Sequence, residues 1–450
     1  MSELIQSNRQ GSAISGENLV FTDLDDPAAL LERTLLIKEI MSVKLEKLPE
    51  GHVFLVVINI ADTNHYDDII GVFGYKFADD LLNIRLADLQ FISKNQSFFR
   101  VGFWSIGFIY RSRTVDEVKS IWLLLNGVLA KPLICRGIPI SIKAGIGVCD
   151  LMKSPIAAED LLQATYLAGQ VGAASPAGWA ECNYDHANDH RRAFTLISDV
   201  SNAMATPGQF QLAYQARVTL HTGKADAVEA LLRWHHPVLG RITPDEFIPL
   251  VEATGLIRDL TFWVLSYAIS QAAKWHADNQ KVKICVKIST KNLGEDDFVG
   301  RITALLELHK FSPEFLELEF SERRSFENPS IARTRFLELR ALGVNVSIDD
   351  FATGKDSFRM LTNIPANVLK IDRRIIKFLP DNLRYQALVR SMIHMAHEMD
   401  MQVVAEGVET FAVQEMLQAW NCDIAEGYLI NWPMPADAFI SWFTETFPRE

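Results

Sequence analysis

Residues Ala227–Trp234 read AVEALLRW, an apolar run that carries Glu229 in its middle and Arg233 near its end. Six further runs repeat that design down to the C-terminus: CVKIS (285–289), LELEFSE (316–322), VSIDDF (346–351), VLKID (368–372), VVAEGVE (403–409) and DIAEGYL (423–429). Each has a strand-like core with Glu, Asp or Lys where the strand should stop. Helical patterns near 244–255, 258–277, 295–309, 330–343, 382–399 and 411–420 separate them. Alternating strands and helices over about 240 residues predict a TIM-type (β/α)8 barrel, which gathers functional groups at the C-terminal ends of its strands. FQLAYQARV (209–217) meets AVEALLRW through the turn HTGK, so the first strand pair is expected to be an antiparallel hairpin. Strand ends that all offer charge to one spot suit a divalent metal and a phosphate.

Working outward, the 450-residue chain is long enough for two or three domains. Hydrophobic content of 48%, charged content of 22% and mean hydropathy of +0.07 are globular values. A net charge of -12 argues against nucleic acid as the main partner, because such binders need a basic face. No apolar run reaches the length of a membrane span, and the N-terminus lacks the pattern of a secretory signal. The five cysteines (135, 149, 182, 285, 422) never stand in CxxC spacing, so buried thiols and a cytoplasmic location are expected.

Residues 1–26 read as a loose polar tail. From 27 to 178 the pattern is a second α/β domain: helix 26–48, strand 53–60, helix 77–92, a hairpin over 98–110 turning near Trp104, helix 116–130, strand 139–148 and helix 157–172. A linker with a connecting helix (186–204) occupies 179–208, and the barrel domain fills 209–450.

The second half resembles the EAL domain family, the phosphodiesterases and receptors for cyclic di-GMP. The likeness rests on YQ (214–215), EALLRW (229–234), HP (236–237), FIP (247–249), LEFSE (318–322), DDFATG (349–354), LKID (369–372), AEGVE (405–409) and GY (427–428). The first half resembles, more weakly, a GGDEF domain, the fold of diguanylate cyclases, through GYKFADDLL (74–82), Arg100-Val101-Gly102 and the helix Ala164–Gly172. A tandem GGDEF–EAL architecture is what the two imply together. The cyclase site reads as strongly degenerate: Phe103 and Trp104 are too large for the signature loop, and Ser105 cannot be a carboxylate. The metal-binding strand end falls on Asp62 and Asn64 by one count and on Asn59 and Ala61 by another.

The EAL resemblance implies a metal set of Glu229, Glu319, Asp349 and Asp350, with Glu406 assisting and Lys370 orienting water or a phosphate oxygen. It implies a ligand set of Gln215, Glu229, Leu231, Arg233, Pro244, Phe247, Asp372, Glu426 and Pro433, and loop braces at Glu322 and Glu409. Hydrolysis by such a site uses two cations about 3.5–4 Å apart, held by hard oxygen ligands. The chain departs from the family at Lys287, which stands in CVKIS where the pattern has Asn. Strand alternation points Lys287 into the barrel with Cys285 and Ser289. An ammonium about 4 Å from a divalent ion repels it by on the order of 8 kcal/mol at an effective dielectric of 20. Magnesium or manganese binding is therefore expected to be weak or absent, with Lys287 replacing one metal; the alternative is that Lys287 snorkels to water and metal binds regardless. Glu426 replaces a Gln before Gly427-Tyr428, and Lys355 and Asp356 alter the loop after Asp350. Three readings follow: a non-catalytic receptor that binds cyclic di-GMP and regulates a protein partner, a metal-dependent phosphodiesterase, or a scaffold that binds no nucleotide. Self-association through the barrel is a further expectation from the family.

Overall fold

The structure is a computed structural model that describes residues 31–45, 52–61, 63–92, 96–112, 115–153, 156–183, 185–321, 328–351, 361 and 364–447. Two compact units divide the chain, Met1–Arg192 and Ala193–Glu450. The division falls within a helix that runs Asp185–Ala205.

The first unit holds β1 (Leu31–Glu32), β2 (His52–Asn59), β3 (Phe99–Gly102), β4 (Ser105–Ser112), β5 (Leu133–Cys135), β6 (Ile138–Ile140), β7 (Gly145–Asp150) and β8 (Trp179–Glu181). Six of them form one sheet in the order β1-β3-β4-β2-β7-β8. Alternation along β2 explains its two covered faces. Phe54, Val56 and Ile58 meet helices carrying Leu81, Leu86, Trp122 and Leu125, whereas Val53, Leu55 and Val57 meet Leu36, Ile40, Leu161 and Ala168. Gly147 is needed because a Cβ there would lie 1.8 Å from the Thr165 carbonyl oxygen.

Two expectations need correction here. The single strand expected at 139–148 is two strands: β6 pairs with β5 through a turn at Arg136 (φ 49°) and Gly137 (φ 80°), and β7 belongs to the large sheet. The helix Thr63–Phe73 was not anticipated. The expected tail and Asp62 lie outside the described residues, as does the side chain of Asn64.

The second unit is a closed barrel. Its strands are β9 (Phe210–Thr219), β10 (Ala225–His236), β11 (Gly240–Ile242), β12 (Lys283–Ile288), β13 (Leu316–Ser321), β14 (Asn345–Phe351), β15 (Val368–Ile371), β16 (Gln402–Ala405) and β17 (Ile424–Glu426). Eight of them close the ring in the order β10-β12-β13-β14-β15-β16-β17-β9, with β9 returning to β10. The pairs from β10 to β17 are parallel, while β9 is antiparallel to both its neighbours, as the hairpin reading required. β11 lies antiparallel on the far end of β10.

Period-two alternation sorts the side chains. Ile284, Val286, Leu318, Phe320, Val346, Ile348, Leu369 and Val403 face the surrounding helices in one large core. Val368, Val404 and Ile424 form a separate apolar cluster, on the alternate positions of their strands. Trp234 is fully buried among Phe210, Phe247 and His236. Burying a ring of that size contributes roughly 3 kcal/mol, and it pins the outer end of β10 beside the mouth. Among the described residues no helix is long and apolar enough to cross a membrane. All five cysteines are buried, and none forms a disulfide.

Candidate functional site

The inward positions of the strands bring acids from six of them into one well. Lys370 sits at its centre, fully buried, with Nζ 2.8 Å from Glu406, 3.0 Å from Glu319, and 3.7 Å from both Glu229 and Glu426. Lys287 enters from β12 with Nζ 2.8 Å from Asp349 and 3.4 Å from Glu229. Its side chain is 51% exposed, so the stem faces the mouth while the ammonium contacts the acids. The alternation argument therefore placed Lys287 correctly.

Five carboxyl groups thus share two ammoniums, an excess of three negative charges if all ionise. Protons relieve that excess. Burial holds Glu319 well above the carboxylate range, and the charges of Glu229 and Asp349 add to it against the pull of Lys370. Burial does the same for Glu426, reinforced by Glu229. Burial and Asp349 bring Glu406 up to about 7. Glu229 and Asp349 go the other way: burial opposes their charge, but Lys287 and Lys370 outweigh it and hold both low. Carboxylates this close titrate as a set rather than singly.

Asp350 reaches the well by a backbone irregularity. Adjacent strand residues face opposite ways, yet Asp350 takes φ 59° where the register of β14 and β15 shifts. Its Oδ2 accepts a hydrogen bond from Ser321 Oγ at 2.8 Å, and its backbone N–H donates to Asp349 Oδ1 at 2.8 Å. Burial and contact with Asp372 bring it up to about 6. Asp372 caps the short helix Arg373–Ile376, accepting from the backbone N–H of Arg374 at 2.7 Å and from its Nε at 2.8 Å. Burial opposes that charge, but Asp350 and Arg374 hold it low.

Glu229, Leu231, Asp350, Asp372, Glu406, Glu409 and Glu426 all border the well, a hollow of about 330 Å³. Gln215 borders it too, with Nε2 donating to the Asn431 carbonyl oxygen at 3.0 Å. The well needs Gly407 (φ 69°), where a Cβ would come within 2.4 Å of Arg373 Cβ. A larger cleft of about 830 Å³ continues outward past Leu231, Arg233, Pro244, Tyr428 and Pro433, and also takes in Glu319 and Asp349. Phe247 is a correction: it is fully buried, stacked on Phe210 at 5.8 Å and edge-on to Trp234 at 4.9 Å, so it seats the helix Pro244–Glu252 instead of lining the cleft. Glu322 and the residues Lys355 and Asp356 lie outside the described residues.

Sequence reasoning missed the pair beneath the well. Arg217 and Glu317 are both fully buried and joined twice, at 2.8 and 2.9 Å. Burial opposes the Glu317 charge, but Arg217 brings it down to about 2. The signal was present, since Glu317 shares the inward parity of Glu319. Cys285, Glu317 and Glu319 converge closely enough to suggest a metal group, but the guanidinium already fills that role.

The donor set fits a hard divalent cation. Glu229 Oε1, Glu319 Oε1 and Glu426 Oε2 are buried and accept no hydrogen bond, their nearest cations standing 3.4–3.7 Å away, and carboxylate oxygen is what magnesium or manganese prefers. The limit is Lys287, whose ammonium stands on Asp349 and Glu229, two of the four acids in the implied metal set.

Comparison with known proteins agrees with this architecture. The family model for the EAL domain matches residues 197–433. A cyclic di-GMP phosphodiesterase of Pseudomonas aeruginosa is 31% identical over 420 residues, covering 93% of this chain and 71% of its own length. The bifunctional diguanylate cyclase/cyclic di-GMP phosphodiesterase MucR of the same organism is 37% identical over 250 residues, 55% of this chain but 36% of that protein. The solved structure of PaMucR phosphodiesterase in complex with c-di-GMP is 36% identical with a TM-score of 0.52, covering 54% of this chain and 99% of that one. With a closed barrel, an acid-lined mouth and these matches, the chain belongs to the EAL domain family.

Proposed function

We propose that the barrel is a receptor for cyclic di-GMP in which Lys287 stands in for a catalytic cation. The observation that carries this reading is the Lys287 ammonium on Asp349 and Glu229, beside a cleft that keeps Gln215, Leu231, Arg233, Pro244 and Pro433. Ligand binding needs the cleft; cutting needs cations as well. Were a divalent cation bound by Glu229, Glu319, Asp349 and Asp350, it would supply Lewis acidity toward a phosphate oxygen. Lys370, with four acids around it, keeps a positive charge in the well in any case. Its contribution is to steady the acids and attract phosphate.

The first unit is proposed as a GGDEF-like regulatory domain without cyclase activity. Support comes from the end of β2, where Asn59 and Ser105 are both buried and bonded to each other at 2.9 Å. Signalling onward to a protein partner, and self-association through the barrel, belong to the same proposal.

A second reading, a working phosphodiesterase, is favoured by the 31% identical relative of that activity, which matches 93% of the chain. Calorimetry of the full chain with cyclic di-GMP separates the two. Binding undiminished by chelation of magnesium supports the receptor. Binding that requires magnesium and ends in a linear dinucleotide supports the enzyme, and no binding at all leaves a nucleotide-free scaffold.

A further inference from the structure

The cleft is polarised. Its inner end is the acid well, whereas its outer end carries Arg233 on β10 and Arg241 on β11. The two strands pair antiparallel with His235 opposite Arg241 and Trp234 opposite Ile242. Arg233, two residues from His235, therefore shares a ribbon face with Arg241 in the diagonal position, where Cα atoms lie roughly 7–8 Å apart and long side chains meet. Neither guanidinium has a carboxylate within ion-pair distance among the described residues; the polar contact of Arg233 is to the Leu232 carbonyl oxygen at 2.9 Å. Burial and the like charge of Arg241 both disfavour the charge on Arg233. In a chain of net charge -12, two adjacent unpaired arginines facing one cleft are an anion site.

The number of charges indicates which anion. Cyclic di-GMP carries two phosphodiesters of one negative charge each, held apart by the sugars of its ring, so the paired forks on one ribbon face meet a single charge of it. A terminal phosphomonoester carries about −1.5 to −2 charges and three acceptor oxygens at pH 7. We propose that Arg241, acting beside Arg233, recognises a terminal phosphate, so that the cleft that receives cyclic di-GMP also takes a linear guanine dinucleotide with a 5′ phosphate. This inference rests on the cyclic di-GMP reading above. Ring opening adds one water: a phosphorus–oxygen bond to one sugar breaks, the sugar oxygen takes a proton, and the phosphate gains a hydroxyl that ionises. Arg241 would read the charge gained in that step, making it a specificity-determining residue.

Calorimetry of the full chain and of Arg241→Leu, against cyclic di-GMP and the linear 5′-phosphorylated dinucleotide, tests it. The expected result is a loss of about tenfold for the linear ligand and less than twofold for the cyclic one, with Arg241→Lys recovering only part because it lacks the planar fork. Equal losses on both ligands, or none on either, overturn the inference and leave the receptor reading standing. If the parent binds the linear ligand but not the cyclic one, the receptor reading fails while the arginine site survives. If the parent binds neither, both fall. Arg241 is exposed, so the variant folds, and a thermal melt matching the parent checks that.

Discussion

The strand end at β2 in the first unit and the strand ends of the barrel treat buried polarity in opposite ways. At β2, Asn59 uses both ends of its amide: Oδ1 accepts from Ser105 Oγ at 2.9 Å and Nδ2 donates to the Tyr166 carbonyl oxygen at 2.8 Å. Trp104, from the turn between β3 and β4, is buried against Tyr66, and its indole N–H donates to the Ala78 carbonyl oxygen. In the barrel mouth three buried carboxylate oxygens accept no hydrogen bond, and two lysines serve five acids. A satisfied pair reports packing, whereas a buried deficit persists only where something else supplies the missing charge. Neutral and hydrogen-bonded on one side, acidic and short of hydrogen bonds on the other, the two places separate a structural strand end from a binding one.

The sharpest way to break this contrast uses the doubly joined, fully buried pair beneath the barrel mouth. Arg217→Met leaves Glu317 buried without its guanidinium partner, and should cost about 3–5 kcal/mol of unfolding free energy in urea titration. Adding Glu317→Leu to the same chain should restore most of it. A single variant within about 1 kcal/mol of the parent would mean that the pair is not closed to water as the geometry requires.

Asn59→Asp probes the other side with a smaller effect. The substitution loses the donor to Tyr166 and sets a carboxylate against a carbonyl oxygen, so stability should fall by about 2 kcal/mol. Manganese should not recover it. A melt that rises with added manganese in this variant alone would show a latent metal site at β2 and erase the distinction.

Much of this was legible from residues, and the failures have physical causes. The barrel was readable because seven runs share one period, and the same period assigned Lys287 to the interior, while Glu319 came from the family resemblance. It could not predict Asp350, whose positive φ abandons the alternation on which the reading depends. Phe247 was misplaced because a motif residue is not always a contact residue; the ring faces Trp234 from the inner side of its helix. The apolar stretch 139–148 hid a break, since a short hairpin strand and a sheet strand have the same composition. Glu317 was passed over because nothing in a lone acid announces the arginine a hundred residues earlier that neutralises it.

The smallest expected effect is the most direct test. In Lys287→Asn the ammonium on Asp349 and Glu229 is replaced by an amide oxygen, turning a repulsion into a ligand. Titration of the full chain with Mn²⁺, followed by paramagnetic resonance or calorimetry, should give at least about a tenfold gain in affinity over the parent, or 1.4 kcal/mol. A parent that already binds two manganese ions as tightly as the variant would contradict the claim that Lys287 holds a cation's position.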